Sequence, residues 1–117
     1  MSENIVGQKS YAFAIRIVKL YKYLSSEHKE FVLSRQILRS GTAIGALIRE
    51  AEFAQSKADF INKMSIALKE ANETKYWIDL LHDCDYLNQK MHDDIVVDIK
   101  ELISLLVSIV KSSKNNP

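Results

Sequence analysis

The side chains with the widest chemical repertoire crowd one stretch of the chain: His82, Asp83, Cys84, Asp85, His92 and Asp93. Histidine, cysteine and carboxylate are metal-ligating types, and a histidine two residues before a cysteine can serve a thiolate nucleophile. A di-iron carboxylate bundle, however, needs two Glu-x-x-His motifs on facing helices plus two further glutamates. No Glu-x-x-His occurs, and Asp79-Leu80-Leu81-His82 is the nearest approach to one. A thiol nucleophile also needs an oxyanion hole, and no glycine turn accompanies Cys84. The crowding reads as helix caps and solvated charge at a polar turn. No metal, cofactor or catalytic residue is therefore expected, and the chain is read as a non-enzyme.

The arginines carry a second chemistry. On a helical wheel Arg35, Arg39 and Arg49 fall within about 80° of one another, almost opposite Leu33, Ile37 and Ile44. Thr42 and Ala46, lying between them, keep that face open. A planar guanidinium grips phosphate oxygens in pairs, so such a row can track a nucleic-acid backbone. Arg16, Lys19 and Lys22, turned away from the apolar face of the preceding helix, can extend the basic surface. A solvated helix face or an intersubunit salt-bridge network looks the same, with Glu50 and Glu52 close by. No helix-turn-helix, zinc finger, RNP motif or base-stacking platform is visible.

Helices must position all of these residues. The only proline is the last of 117 residues, 47% of the chain is hydrophobic, and no alternating run is long enough for strands. Periodicity of 3.6 residues predicts helices over 9–26, 30–53, 57–83 and 89–112, joined by short polar breaks. The first carries Ala14, Ile17, Val18, Tyr21 and Leu24 on its apolar face, and the second Leu33, Ile37, Ile44, Leu47, Ile48 and Ala51. Gly41 and Gly45 inside the second imply close approach of another helix or a bend. Ser56 and Asp59 form a capping-box-like start for the third. Its seam of Phe60, Met64, Ala67, Ala71, Thr74, Ile78 and Leu81 alternates steps of four and three, as an antiparallel bundle requires. The fold class is thus all-α: an antiparallel up-down-up-down four-helix bundle. A single domain over 9–112 is expected, with residues 1–8 and 113–117 as flexible termini.

Other bounds follow from composition. A single cysteine, Cys84, fits a reducing compartment. The N-terminus lacks the order of a secretory signal, and the apolar stretch 95–110 falls short of the roughly 20 residues of a membrane span. A soluble cytoplasmic protein with no membrane partner is expected. Between Lys9 and Phe53 there are 8 basic against 4 acidic residues, and from Ala54 onward 8 against 10. That asymmetry means either an anion-binding face or complementary surfaces meeting within the protein or its oligomer.

The fourth helix is too apolar for one seam, because its aliphatic residues, Leu105 and Val107 among them, span an arc of about 200°. Ile66, Trp77 and Leu80 likewise lie off the seam of the third helix. Two readings stand: self-association through these five residues, or a wide intramolecular core whose edges they fill.

Gln36-x-x-Arg39-Ser40 followed by Ile44, Ile48 and Glu50, and then Gln55-Ser56-Lys57-Ala58-Asp59-Phe60 and 66–77 (IALKEANETKYW), form a longer pattern. Over about residues 10–110 it resembles the bacterial four-helix-bundle family encoded by intervening sequences in 23S rRNA genes, also labelled ribosomal proteins. Ala43, Leu47 and Ala51 depart from the serine, asparagine and glycine usual at those positions. The resemblance extends to the accessory protein of diversity-generating retroelements, a homopentamer that binds nucleic acid and a reverse transcriptase. It implies a homo-oligomer, specifically a pentamer, and RNA or DNA or a nucleic-acid enzyme as partner. The alternative is a structural or protein-interaction module that binds no nucleic acid.

Overall fold

The computed structural model describes residues 4–115, so the expectations for 1–3 and 116–117 lie outside the described residues. Four helices form: α1 Ile5–Glu27, α2 Leu33–Glu52, α3 Lys57–Asp83 and α4 Gln89–Lys114, with no strand among the described residues. Each begins where a side chain can take up otherwise unpaired backbone N–H groups. Asn4 accepts from the N–H of Gly7 at 2.9 Å, which starts α1 four residues before the periodicity does. Ser56 accepts from the Asp59 N–H at 3.0 Å, and Asp59 in turn accepts from the N–H of Gln55, the expected box with its return bond shifted by one residue. Asn88 accepts from the N–H of Met91 at 2.9 Å.

The second helix departs from expectation. Glu30 is not its first residue but its cap: the carboxylate accepts from the N–H groups of Val32, Leu33 and Ser34 at 3.2, 3.0 and 2.7 Å. Lys29, in the left-handed region at φ 53°, reverses the chain, and the Glu30 N–H closes α1 on the Leu24 carbonyl at 3.0 Å. Burial pushes the Glu30 carboxyl up, but its backbone hydrogen bonds and Ser34 outweigh that and hold it below the usual carboxylate range. Because the folded-state pKa is the lower one, the stabilisation is complete at neutral pH and disappears as pH falls through the folded value. Glu30→Gln is expected to cost about 1 kcal/mol in urea denaturation at pH 7. That difference should shrink once the pH drops below about 4. A constant difference down to pH 2.5 would remove the charge from the explanation.

The helices pack in chain order as an up-down-up-down bundle measuring 49 × 22 × 21 Å. α1 and α4 meet most sparingly, bridged by Lys9–Glu101 at 3.1 Å and by Arg16 to Asp98. α2 and α3 are pinned in register by a buried hydrogen bond from the Thr74 hydroxyl to Ser40 Oγ at 2.9 Å. α1 and α2 are pinned by Gly41, which lies against the side chain of Ile17, while Gly45 lies over the backbone of Ser10. The interior glycines therefore serve close approach rather than a break, since α2 runs through them uninterrupted.

The seam of α3 is buried as expected from Met64 to Leu81, with Phe60 half-buried at its mouth. α1 is rotated from expectation. It buries Val6, Ser10, Phe13, Ile17, Leu20 and Leu24, leaving Val18 exposed and Ala14 and Tyr21 at the edge. Both faces of α1 are apolar, and the larger Phe13 and Leu20 fill the core. In α2, Ser34, Ser40 and Gly41 are buried, while Leu33 and Leu47 are only half-buried.

Candidate functional site

At the turn between α3 and α4 the crowded polar residues are held by one another. His92 Nε2 lies 2.9 Å from Asp79, whose other carboxylate oxygen accepts from Lys75 Nζ at 2.8 Å. Burial pushes the Asp79 carboxyl up, but Lys75 and His92 together hold it below its usual range. The rings of His82 and His92 sit 4.4 Å apart between centroids, and His82 Nδ1 lies 3.2 Å from Asp83. Cys84 caps α3 and is exposed. Among the described residues no three His, Cys, Asp or Glu side chains are placed to hold a metal ion together.

The basic residues divide into two sets. Arg39 is not part of an open row: it bridges α2 to α3, donating to Glu70 at 3.2 Å and to Glu73. Glu73 also accepts from the indole N–H of Trp77 at 3.0 Å. That hydrogen bond, and then Arg39, hold the Glu73 carboxyl low, while Glu73 raises the guanidinium of Arg39. Arg39 stays exposed, but its guanidinium is engaged by partners that stand on a helix some thirty residues later in the chain, so it differs from Arg35 and Arg49 in being paired. Arg16 is similarly occupied, donating to Asp98 and to the Asp94 carbonyl of α4.

Arg35, Arg49, Lys19 and Lys22 are exposed and take part in no ion pair among the described residues. The Gly41–Ile17 and Gly45–Ser10 juxtapositions set the antiparallel register of α1 and α2, and this register puts Lys22 level with Arg35. Lys19 lies about one turn further along α1. Exposed Lys29, in the connecting turn, joins this end of the bundle. Periodicity could not single out Lys29, because it belongs to no helix face. Arg49 stands apart, 14 positions from Arg35 or about 21 Å along α2.

The apolar surface is also redistributed. Ile66, Trp77, Leu80 and Leu105 are half-buried rather than an exposed strip, and Trp77 and Leu105 pack on the central core. Val107 remains exposed at 45%. The core is wide enough for its edges to take up most of the apolar excess of α3 and α4. Open apolar side chains also stand on α3 (Tyr76), on α4 (Val97) and on α1, where Tyr11 (60% exposed), Ile15 (44%) and Val18 (37%) follow one another at steps of four and three. Beside them a groove of about 840 Å³ runs between α1 and α2.

The fold and this pattern of residues can be set against known proteins. Residues 2–108 match the family described as 23S rRNA-intervening sequence protein. The chain belongs to that family. The matched region takes in α1, α2 and α3 whole and all but the last six residues of α4. A crystallised protein of unknown function from the S23 ribosomal protein family of Bacteroides thetaiotaomicron is 60% identical. Its structure superposes with a TM-score of 0.90, covering 91% of this chain and 98% of its own. No curated protein gives a significant match. No helix of this family member, among the described residues, is long and apolar enough to cross a membrane.

Proposed function

We propose that this chain is a non-enzymatic, oligomeric, cytoplasmic accessory protein that holds RNA or DNA by its phosphates at the α1–α2 end of the bundle. The observation that carries the reading is the grouping of Lys19, Lys22 and Arg35 there. They stand on neighbouring helices, exposed and without ion-pair partners among the described residues, whereas Arg16 and Arg39 are engaged by carboxylates. Ammonium groups supply point charge and the arginine fork supplies bidentate geometry, which together suit a phosphate backbone without reading bases. The family's description names an intervening sequence and no ligand, so nucleic acid as the partner class, with a nucleic-acid enzyme as the matching protein partner, rests on these unpaired cations.

Repetition in an oligomer strengthens weak contacts. In a pentamer three cations per copy become about fifteen along one surface. Light scattering tests the assembly, and a mass of 13.4 kDa maintained across micromolar concentrations would refute it. Fluorescence anisotropy with structured RNA and single-stranded DNA, at low and physiological salt, tests the site. The Lys19→Glu, Lys22→Glu, Arg35→Glu variant should bind at least about tenfold more weakly, with a salt slope shallower by about two to three. Unchanged binding by this folded variant, or none by the wild type at low salt, rules the phosphate site out. A second reading, an interaction module without nucleic acid, is favoured by the exposed Tyr11–Ile15–Val18 stripe.

A further inference from the structure

Given the phosphate site at the same end of the bundle, which this step presupposes, we propose that the cleft between α1 and the start of α4 receives an unstacked nucleobase. The nucleic acid held there is then single-stranded. The bundle closes least well at this place. α1 and α4 meet most sparingly, and from the Arg16–Asp98 bridge towards the α3–α4 turn they part to leave a cleft of about 380 Å³. That volume falls within the roughly 300–1,000 Å³ of small-ligand sites.

Its lining suits a flat heteroaromatic ring. Leu20, Leu87, Met91 and Ile95 supply apolar surface, and Tyr23 supplies an aromatic wall. Arg16 and Tyr23, which both line the cleft, stand seven residues apart on α1, about 10 Å or two helical turns. Tyr23 is held in place before anything binds. Its hydroxyl lies 3.1 Å from His28 Nε2, and the His28 ring meets Tyr23 and Tyr86 edge to face, with centroids 5.2 and 5.4 Å away. A wall fixed in advance loses little freedom when it is used. No sequence motif announces this arrangement, because the lining comes from α1, the α3–α4 turn and α4.

Charge selects the occupant. Lys19 lines the cleft, is exposed, and has no ion-pair partner among the described residues. It is also the helical neighbour of Lys22, three residues on. A base in the cleft therefore leaves its phosphate at Lys19, and the strand continues towards Lys22 and Arg35. On the α4 side Asp94 presents an exposed carboxylate, 3.7 Å from Lys90. That carboxylate is an acceptor for the amino edge of adenine, cytosine or guanine. It also opposes a fatty acid or other anionic amphiphile, whose head group would have to lie beside it. An apolar peptide side chain would occupy the cleft but leave Lys19 and Asp94 without partners.

The probes are two fluorescein-labelled DNA strands of about 12 nucleotides, one of mixed adenine and cytosine and one abasic throughout, with the same phosphates. By anisotropy at low salt the full-length protein should bind the strand with bases at least about tenfold more tightly, as stacking on an aromatic wall provides. Tyr23→Leu and Met91→Ala should each reduce that preference to about twofold or less and leave the salt slope unchanged, because the phosphate contacts remain. Circular dichroism and urea denaturation check that both variants are folded. Lys22→Glu, Arg35→Glu should instead weaken both strands alike and make the slope shallower. The wild-type comparison of the two strands stands whatever the stability of the variants. Equal binding of the two strands, or an undiminished preference in either folded cleft variant, overturns the base site and leaves the phosphate site standing. Binding of neither strand overturns both together.

Discussion

Ala67→Asp is expected to cost several kcal/mol or to leave the chain unfolded. Ala67 is fully buried on α3, on the same face as Met64 and Ala71, in a core built almost wholly of aliphatic side chains. An aspartate there must either bury an unpaired carboxylate or push the neighbouring helices apart, and both are among the most destabilising events a point mutation can cause. Urea denaturation followed by circular dichroism gives the measurement. Asn62→Asp, at an exposed position of the same helix, supplies the control and should shift stability by no more than about 0.5 kcal/mol. A soluble Ala67→Asp variant melting with the wild type would place the core on another face of α3.

The two glycines of α2 should respond to alanine with opposite signs. A Cβ added at Gly41 would lie 2.8 and 2.9 Å from Cγ1 and Cγ2 of Ile17, a fully buried side chain stiff at its β-branch. Alanine gains about 1 kcal/mol in helix propensity, but overpacking of that severity costs about 1–3 kcal/mol, so a net loss of about 1–2 kcal/mol is expected. At Gly45 the nearest atoms, the Ser10 oxygens, stand at 3.4 Å, ordinary contact. Gly45→Ala should therefore keep the propensity gain and stabilise the protein by up to about 1 kcal/mol. Equal effects at both positions would mean that α1 and α2 approach each other differently.

Family membership, all-helical class and the path of the chain were legible before the fold. The steps of four and three from Phe60 to Leu81, with Ser56 and Asp59 ahead of them, located α3 to its terminal residues. A capping box and a single apolar stripe are local in sequence, and they allow one helix with one face. The cap of α2 escaped for the same kind of reason in reverse. Glu30 looks like a helical residue until Lys29 takes up positive φ and turns its carboxylate onto three backbone N–H groups.

The candidate sites depended on partners that local pattern cannot reach. Helix α1 carries apolar side chains on two sides, so periodicity alone was satisfied by Val18 inward as well as by Phe13 and Leu20 inward. The shape of α2, with Gly41 seated on Ile17, decided between them and turned Tyr11, Ile15 and Val18 outward. Arg39 was indistinguishable from Arg35 on a helical wheel, and only the placement of Glu70 and Glu73 on α3 distinguished a bridging arginine from an open one. Sequence by itself determined which segments become helices, because hydrogen bonding and capping act within a few residues. Tertiary structure decided which face of α1 is core and which cations remain unpaired, because packing and ion pairing join residues that the chain brings together only when the bundle closes.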